Sequence, residues 1–264
     1  MRIVVCQKYA PGRVHVDAVT GQVDADPRAF GPPLSDQAAL ELALLIDDSD
    51  VTVACVGPVE ADVMLREALA VGATRVVRFE TLDSPMDVAA ALATVCGDAD
   101  LVLCGDGGWA GSGSVPALIA ARLGRPQMLG AVQLEVTADG VRVHRRLDRG
   151  RIGLYESPLP AVVSVEGSVA KLRRASLPGL MAANDAAIDV RVAPASAPAV
   201  AISHPRPARQ RTKVVAPPAG DGPMERILAI TKATEESSPP RTLRLDPAAA
   251  AAEAVSALRQ WGYI

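Results

Sequence analysis

Asp100 to Gln127 reads DLVLCGDGGWAGSGSVPALIAARLGRPQ, and the fold turns on it. Leu101 to Cys104 is a short apolar run suited to a strand buried on both faces. Gly105, Gly107, Gly108, Gly111 and Gly113 follow, broken by Asp106, Trp109, Ser112 and Ser114. Ala117 to Leu123 has the composition of a helix, ending at Gly124 with Pro126 beyond it as a stop. A strand, a glycine-rich loop and a helix N-terminus in that order can hold a nucleotide phosphate. The glycines let the backbone approach the anion, and unpaired amides with the helix dipole offset its charge. Gly105-Asp-Gly-Gly-Trp-Ala110 fits the dinucleotide fingerprint GxGxxA. That fingerprint belongs after the first strand of such a fold, whereas this loop follows about the fourth. A loop that merely turns tightly is the competing reading, and the stretch alone does not choose.

Outward from this stretch, strands and helices alternate. Ile3 to Cys6 opens the chain as a strand running on through Gln7 and Lys8, and Arg2 leads straight into it, so no secretory leader is expected. Tyr9 to Pro33 is polar and turn-rich, with Val14, Val16 and Val23 set as in a hairpin. A helix starts at Ser35, where Ser35 or Asp36 can cap it, and Ala38, Leu42 and Ile46 fall on one face. Val51 to Val56 and Arg75 to Phe79 read as strands, Ala61 to Val71 and Met86 to Cys96 as helices. Gly57-Pro58 is a sharp turn, and Gly72 closes the second helix. This spacing predicts a Rossmann-like α/β fold, a parallel sheet with helices on both faces, with its ligand beyond the carboxyl ends of the strands.

After Gln127 the pattern becomes β-rich: Val132 to Val136, Val141 to Leu147 and Ala161 to Val165, the first two joined by the turn signal Ala138-Asp139-Gly140. Residues 1–190 form the expected nucleotide-binding domain. Residues 191–245, rich in Ala, Pro and charge, read as an extended arm or linker. Residues 246–264 read as an amphipathic helix capped by Asp246 and ending Trp261-Gly-Tyr-Ile264. Two large aromatics there, in a chain with only 3% aromatics, predict docking on a partner.

The 264 residues are 49% hydrophobic, enough for a core built largely of Ala and Val. A net charge of -3 gives no electrostatic reason to expect nucleic acid or an acidic membrane surface. No apolar run reaches the roughly 20 residues of a membrane span, so no membrane insertion is expected. Cys6, Cys55, Cys96 and Cys104 lie in or beside apolar segments without CxxC spacing, as expected of reduced thiols in the cytoplasm. His15, His144 and His204 are scattered, and there is no nucleophile–base set, metal motif or acid/base carboxylate pair, so an enzyme is not expected.

Several segments, in order over Met1 to Ala187, resemble the β subunit of electron transfer flavoproteins. Val4-Val5-Cys6-Gln7-Lys8 resembles the family's opening strand, and Asp36 to Leu44 its first helix. Val56-Gly57-Pro58 followed by Leu65-Arg-Glu-Ala-Leu-Ala-Val-Gly-Ala73 resembles GP…LRxALAxGA, the most specific match. Leu101 to Gln127 resembles the nucleotide loop and following LGxPQ; Pro160 to Val163 resembles PAVV; Ala175 to Met181 resembles the partner-recognition segment ASLPNIM. The glycine loop and long arm are also similar to the form associated with mycofactocin gene clusters in actinobacteria.

The resemblance implies an electron carrier that works as a heterodimer with an α subunit holding the redox-active FAD. It implies a structural AMP in the β subunit, or a second FAD as in electron-bifurcating relatives, held by Cys6, Val56, Gly57, Pro58, Gly105, Asp106, Gly111, Ser112, Gly113, Ser114 and Val115. It implies recognition of flavoprotein dehydrogenases through Ser176, Leu177, Pro178 and Met181, with Leu177 as the anchor in a Leu-Pro turn, and delivery toward a membrane quinone reductase. The chain departs from the family at Pro33-Leu34 in place of Asn-Pro, at Gly111 to Pro116, at Arg146 in place of a glutamate, and at Ala182 and Asp185 in place of lysines. Gly57-Pro58 also reads as a plain βα turn and Asp106 as a turn residue, while Arg145 and Arg146 read either as a solvated strand face or as contacts to the α subunit or a flavin phosphate. Two other functions share this fold class: a stand-alone, stress-sensor-like adenine-nucleotide-binding protein, and a nucleotide hydrolase, whose catalytic groups the sequence does not supply.

Overall fold

The computed structural model describes residues 1–17, 20–82, 84–107, 113–193, 222–231 and 242–263. Its backbone divides into Met1–Ala208 and Arg209–Ile264. The first unit is built on a nine-stranded sheet of β1 (Arg2–Lys8), β2 (Asp50–Val56), β3 (Arg75–Phe79), β4 (Leu101–Gly105), β5 (Gln127–Thr137), β6 (Gly140–Arg146), β7 (Ile152–Ser157), β8 (Ala161–Val165) and β9 (Asp189–Arg191). Their order across the sheet is β7-β6-β5-β8-β4-β1-β2-β3-β9. All neighbours run parallel except β6, antiparallel to both β5 and β7. The expected parallel, Rossmann-like sheet is thus present, extended by an antiparallel ribbon. The hairpin of Val14–Val16 with Val23–Ala25 and the Ala138-Asp139 turn form as the sequence predicts.

Both faces are covered, which is why the central strands are continuous apolar runs rather than alternating ones. Ile3 and Val5 of β1, Val51 and Val53 of β2, and Leu101 and Leu103 of β4 pack under α1 (Leu34–Leu45) and α2 (Asp62–Val71). Val4 and Cys6, Val77 and Phe79, and Val102 and Cys104 pack under α3 (Pro85–Cys96) and α4 (Val115–Leu123). The facing helix residues are mostly alanines, such as Ala38, Ala39, Ala43, Ala89 and Ala91, and their small size lets the helices lie close to the sheet. Gly124, at φ 62°, ends α4 in the left-handed conformation that its lack of Cβ makes cheap. All four cysteines are free and buried, as expected.

Three local readings are corrected. The first helix starts at Leu34 with Pro33 at its cap position and no side-chain cap; Asp36 lies inside its first turn, turned inward. Ile152–Ser157, unread in the sequence, is the edge strand β7. Leu177-Pro178 is no isolated turn but the first turn of α5 (Leu177–Asp185), with the Ser176 side chain accepting from the Gly179 amide. In the second unit, α6 (Pro223–Thr231) lies within the region read as an arm, and α7 (Pro247–Gln260) is capped by Asp246 as the sequence predicts.

The α5 helix is tied down by α2. The Arg66 guanidinium donates to the carbonyls of Ala183, Asn184 and Ala186 at 2.7, 2.7 and 3.0 Å. These are last-turn carbonyls that α5 leaves without intrahelical donors, and its last turn has no basic residue of its own. A side chain at Gly179 would strike the Ala70 carbonyl, so glycine is required for this approach. Arg66→Ala is therefore expected to lower global stability by about 1–3 kcal/mol. In hydrogen-exchange mass spectrometry, the largest increase in exchange should fall in 177–186 and the facing turn of α2.

Candidate functional site

Strand order reverses between β1 and β4: the chain leaves β1 toward β2 on one side, and β4 lies on the other. A crevice beyond the carboxyl ends of two such strands is where ligands of this fold class bind. Lys8 ends β1 and Gly105 ends β4. Asp36, on the first turn of α1, fits between them. Its Oδ2 accepts from the Lys8 backbone amide at 2.6 Å and its Oδ1 from Lys8 Nζ at 2.6 Å, while Nζ also donates to the Gly105 carbonyl at 3.3 Å. Asp36 is fully buried. Burial pushes its carboxyl above the usual range, and Lys8 pulls it only part of the way back. A Cβ on Gly105 would collide with the Asp36 carboxylate and lie 2.5 Å from Ser35 Oγ, so this glycine exists to admit α1.

Asp106, the next residue, accepts at Oδ1 from Ser164 Oγ at 2.8 Å, and the same hydroxyl oxygen accepts from the Gly130 amide at 2.9 Å. The buried Ser164 thus fastens the glycine loop's first residue to β8 and β5. A side chain at Gly130 would lie 3.6 Å from Asp106 Oδ2 and 3.9 Å from Arg145 Nε, placing Arg145 at the rim of the loop. Arg146 pairs instead with Glu166 at 3.5 Å. Of the loop itself, Gly111 and Ser112 lie outside the described residues. Gly113 is exposed with open space over its backbone, Ser114 occupies the cap position of α4 without a side-chain cap bond, and Val115 begins the helix. Among the described residues nothing engages the Ser114 hydroxyl or the first amides of α4, the groups that a helix N-terminus can offer to an anion.

On the other side of β1, Val56 ends β2 and Gly57-Pro58 makes the turn into α2. Arg78 holds that turn, its Nε donating to Asp62 Oδ1 at 2.6 Å and its Nη1 to the Gly57 carbonyl at 3.3 Å. Cys6 also lies near the strand ends, but its side chain faces the core, with its Sγ 3.9 Å from Cys96 Sγ. Although hydrogen bonding with Cys104 works the other way, Cys96 and burial push its thiol well up. The fold therefore gathers Val56, Gly57, Pro58, Gly105, Asp106 and Ser114 around the strand ends. It adds Lys8, Asp36 and Ser164, which were not among the expected site residues. A lysine closing an apolar strand was their one visible signal.

The segment expected to recognise partners, Ala175 to Met181, is a separate feature that runs into α5. Leu177 is 70% and Met181 66% exposed, with Leu180 beside them, so one turn and a half presents an apolar face to solvent. The chain leading into it is pinned by Arg173, whose backbone amide and guanidinium both donate to the Glu41 carboxylate of α1 at 3.0–3.2 Å. Among the described residues there is no metal-binding cluster of His, Cys, Asp or Glu, and no helix long and apolar enough to cross a membrane.

Residues 32–196 match the electron transfer flavoprotein domain, and the chain belongs to that family. Within it, the chain has the character of a beta subunit. It is 30% identical over 232 residues to electron transfer flavoprotein subunit beta of Megasphaera elsdenii, covering 75% of this chain and 84% of that one. It is 31% identical over 208 residues to the corresponding subunit of Mycobacterium tuberculosis H37Rv, covering 71% and 77%. It is also 31% identical over 210 residues to the Caffeyl-CoA reductase-Etf complex subunit CarD of Acetobacterium woodii, covering 72% and 78%. Its function is that of an electron transfer flavoprotein beta subunit, in a flavin-associated family.

Glu41 gives a pH test of the α1 anchor. Burial alone would raise its carboxyl, but the side-chain and backbone bonds from Arg173 outweigh it, and the folded value falls below 4.5. A lowered folded value means that the pair's contribution is complete above about pH 4.5 and lost as pH falls through the folded value. Asp36, shifted upward, acts in the opposite sense but is common to wild type and variant. Urea midpoints measured from about pH 3 to 6 should therefore show the stability gap between wild type and Glu41→Gln closing toward the acid end.

Proposed function

We propose that this chain pairs with an α-type subunit carrying the redox-active FAD, and that the pair shuttles electrons from flavoprotein dehydrogenases to a quinone reductase or another acceptor. On this reading the β chain is not itself a complete catalyst. FAD supplies the redox chemistry, and this chain positions partners around it. The observation that carries the reading is the apolar face of Leu177, Leu180 and Met181 on a helix clamped by Arg66. An exposed anchor on a rigid support loses little entropy on docking, and such anchors supply much of an interface's binding energy.

A nucleotide, AMP or a second FAD, would lie at the switch point, its phosphate on the amides of Gly113 to Val115 with Ser114 Oγ beside them. The free amides and hydroxyl at the start of α4 support this. In the second unit, α7 and the exposed Trp261 and Tyr263 suit docking on the α-type subunit, since large aromatics are typical interface anchors. A stand-alone nucleotide sensor would need none of these surfaces. Cytoplasmic placement fits the absence of disulfides among the free cysteines.

Co-expression with an α-type subunit, followed by flavin and nucleotide analysis of the purified complex, tests the pairing. A chain that purifies as a monodisperse monomer and captures no α-type partner would end the proposal. In a complex that forms, Leu177→Ala should leave flavin content and melting temperature unchanged. The concentration of complex needed for half-maximal reduction by a panel of flavoprotein dehydrogenases should rise about ten- to a thousandfold. A variant that loses stability while its electron transfer per folded complex is unchanged would assign Leu177 to packing instead.

A further inference from the structure

At the opposite edge of the sheet, a cavity of about 150 Å³ opens between the strand N-termini and the end of α3. The length of a five-residue strand, roughly 16 Å, separates it from the glycine loop. Arg2 of β1, Thr52 of β2, Arg75 of β3 and Arg191 of β9 line it, with Thr94 and Asp98 on the helix side. The register assembles the set: Thr52 is opposite Arg75 on β3, and Val4, two residues along from Arg2, is opposite Thr52 on β1. Side chains two apart on a strand share a face, so these groups converge under α3.

Two observations point to a ligand. Thr52 is 95% buried (5% exposed), yet among the described residues its hydroxyl has no hydrogen-bond partner, whereas Thr94 donates to the Ala91 carbonyl at 2.6 Å. The hydroxyl is not itself enclosed by protein but opens into the cavity, where a ligand atom can reach it. Second, Arg75 forms no ion pair among the described residues, Arg2 only just reaches Asp98 at 4.0 Å, and Arg191 is held by Asp189 at 2.6 Å. The carboxylates of Asp50 and Asp98 line the cavity too, and Asp189 holds Arg191, so Arg75 is the lining guanidinium left without an ion pair among the described residues. The C-terminal carbonyls of α3, which would repel an anion here, are covered by Arg125, donating to Cys96, Gly97 and Ala99.

We propose that this cavity binds a small oxyanion of phosphate size, held by the Arg75 guanidinium and the Thr52 hydroxyl, with Arg2 and Arg191 flanking it. Guanidinium is the side chain best matched to a phosphate or carboxylate oxygen pair. The volume exceeds several times the roughly 30 Å³ of one water in the liquid. The site is independent of the nucleotide loop and of any electron-transfer partner.

Calorimetric titration of the full chain, or of its complex, with inorganic phosphate in low-salt chloride buffer tests this. Wild type should bind one phosphate saturably at millimolar concentrations or below. Arg75→Ala should weaken binding at least about tenfold, and the isosteric Thr52→Val about three- to tenfold. Phosphate bound at the glycine loop would be indifferent to both variants. No saturable binding to wild type, or binding equal in wild type and both variants, overturns the proposal. Should Arg75→Ala unfold, Thr52→Val decides alone, and phosphate should then raise the wild-type melting temperature more than that of Thr52→Val.

Discussion

The insertion of Asp36 between Lys8 and Gly105 sets the geometry on which the rest of the molecule depends. It brings the first turn of α1 against the ends of β1 and β4, the two strands at which the sheet changes direction. A fully buried carboxylate costs several kcal/mol to desolvate and stays only if a cation and further donors meet it at close range. Lys8 supplies both, one bond from its backbone and one from its ammonium. The upward displacement of the Asp36 carboxyl shows that burial still outweighs this return. The pair fixes position: α1 has one register in which its carboxylate finds two donors and Gly105 leaves room.

Two smaller polar clusters extend that fixed point sideways. Asp106, Ser164 and Gly130 tie the exit of β4 to β8 and β5. Arg78, Asp62 and Gly57 tie the exit of β2 to β3 and α2. Each buries polar groups with partners supplied from a different element, so a shift of one strand would leave a donor or acceptor unpaired, which is costly in a low dielectric. The carboxyl edge of the sheet is consequently a rigid polar rim. Rigidity of this kind suits a protein whose contribution is to hold a cofactor or partner in place while chemistry happens elsewhere.

Most of the central sheet was legible, because strands covered on both faces must be apolar throughout and helices between them must show small residues. What was illegible depended on partners distant in sequence. Ser35-Asp36 has the local signature of a helix cap, yet Asp36 is claimed by Lys8, 28 residues away. Ile152 to Ser157 has Gly153 in its interior, which weakens a strand signal; Tyr155 packs its ring over that glycine, and pairing with β6 makes the strand. Ser176-Leu-Pro-Gly179 resembles a turn because Pro and Gly adjoin. The same proline at an early helical position favours a helix start, and the glycine answers to the Ala70 carbonyl of α2. Strand alternation turns the Cys6 thiol into the α3 face of the core, so the nucleotide contact that the resemblance implies for it would have to come from its backbone.

The same fixed point bears on where an anion can sit. Of the helix N-termini beside the switch point, those of α1 and α4, the first already has the Asp36 carboxylate in its opening turn. A phosphate placed about 4 Å from that carboxylate would meet a repulsion of about 4 kcal/mol per charge at the effective dielectric of a protein surface, more than a helix dipole returns. The Lys8 ammonium, 2.6 Å from that carboxylate, offsets part of the repulsion, but its donors are engaged by Asp36 and the Gly105 carbonyl and are not turned to a phosphate. The start of α4 has no acidic residue in its first turn, and among the described residues the Ser114 hydroxyl makes no cap bond. Arg145 stands at the loop's entrance, near Asp106. On the proposed reading, a phosphate would therefore sit at the start of α4 rather than at α1. The departures from the family's usual loop residues between Gly111 and Pro116 then weigh on how a base and ribose are recognised more than on whether an anion can be held.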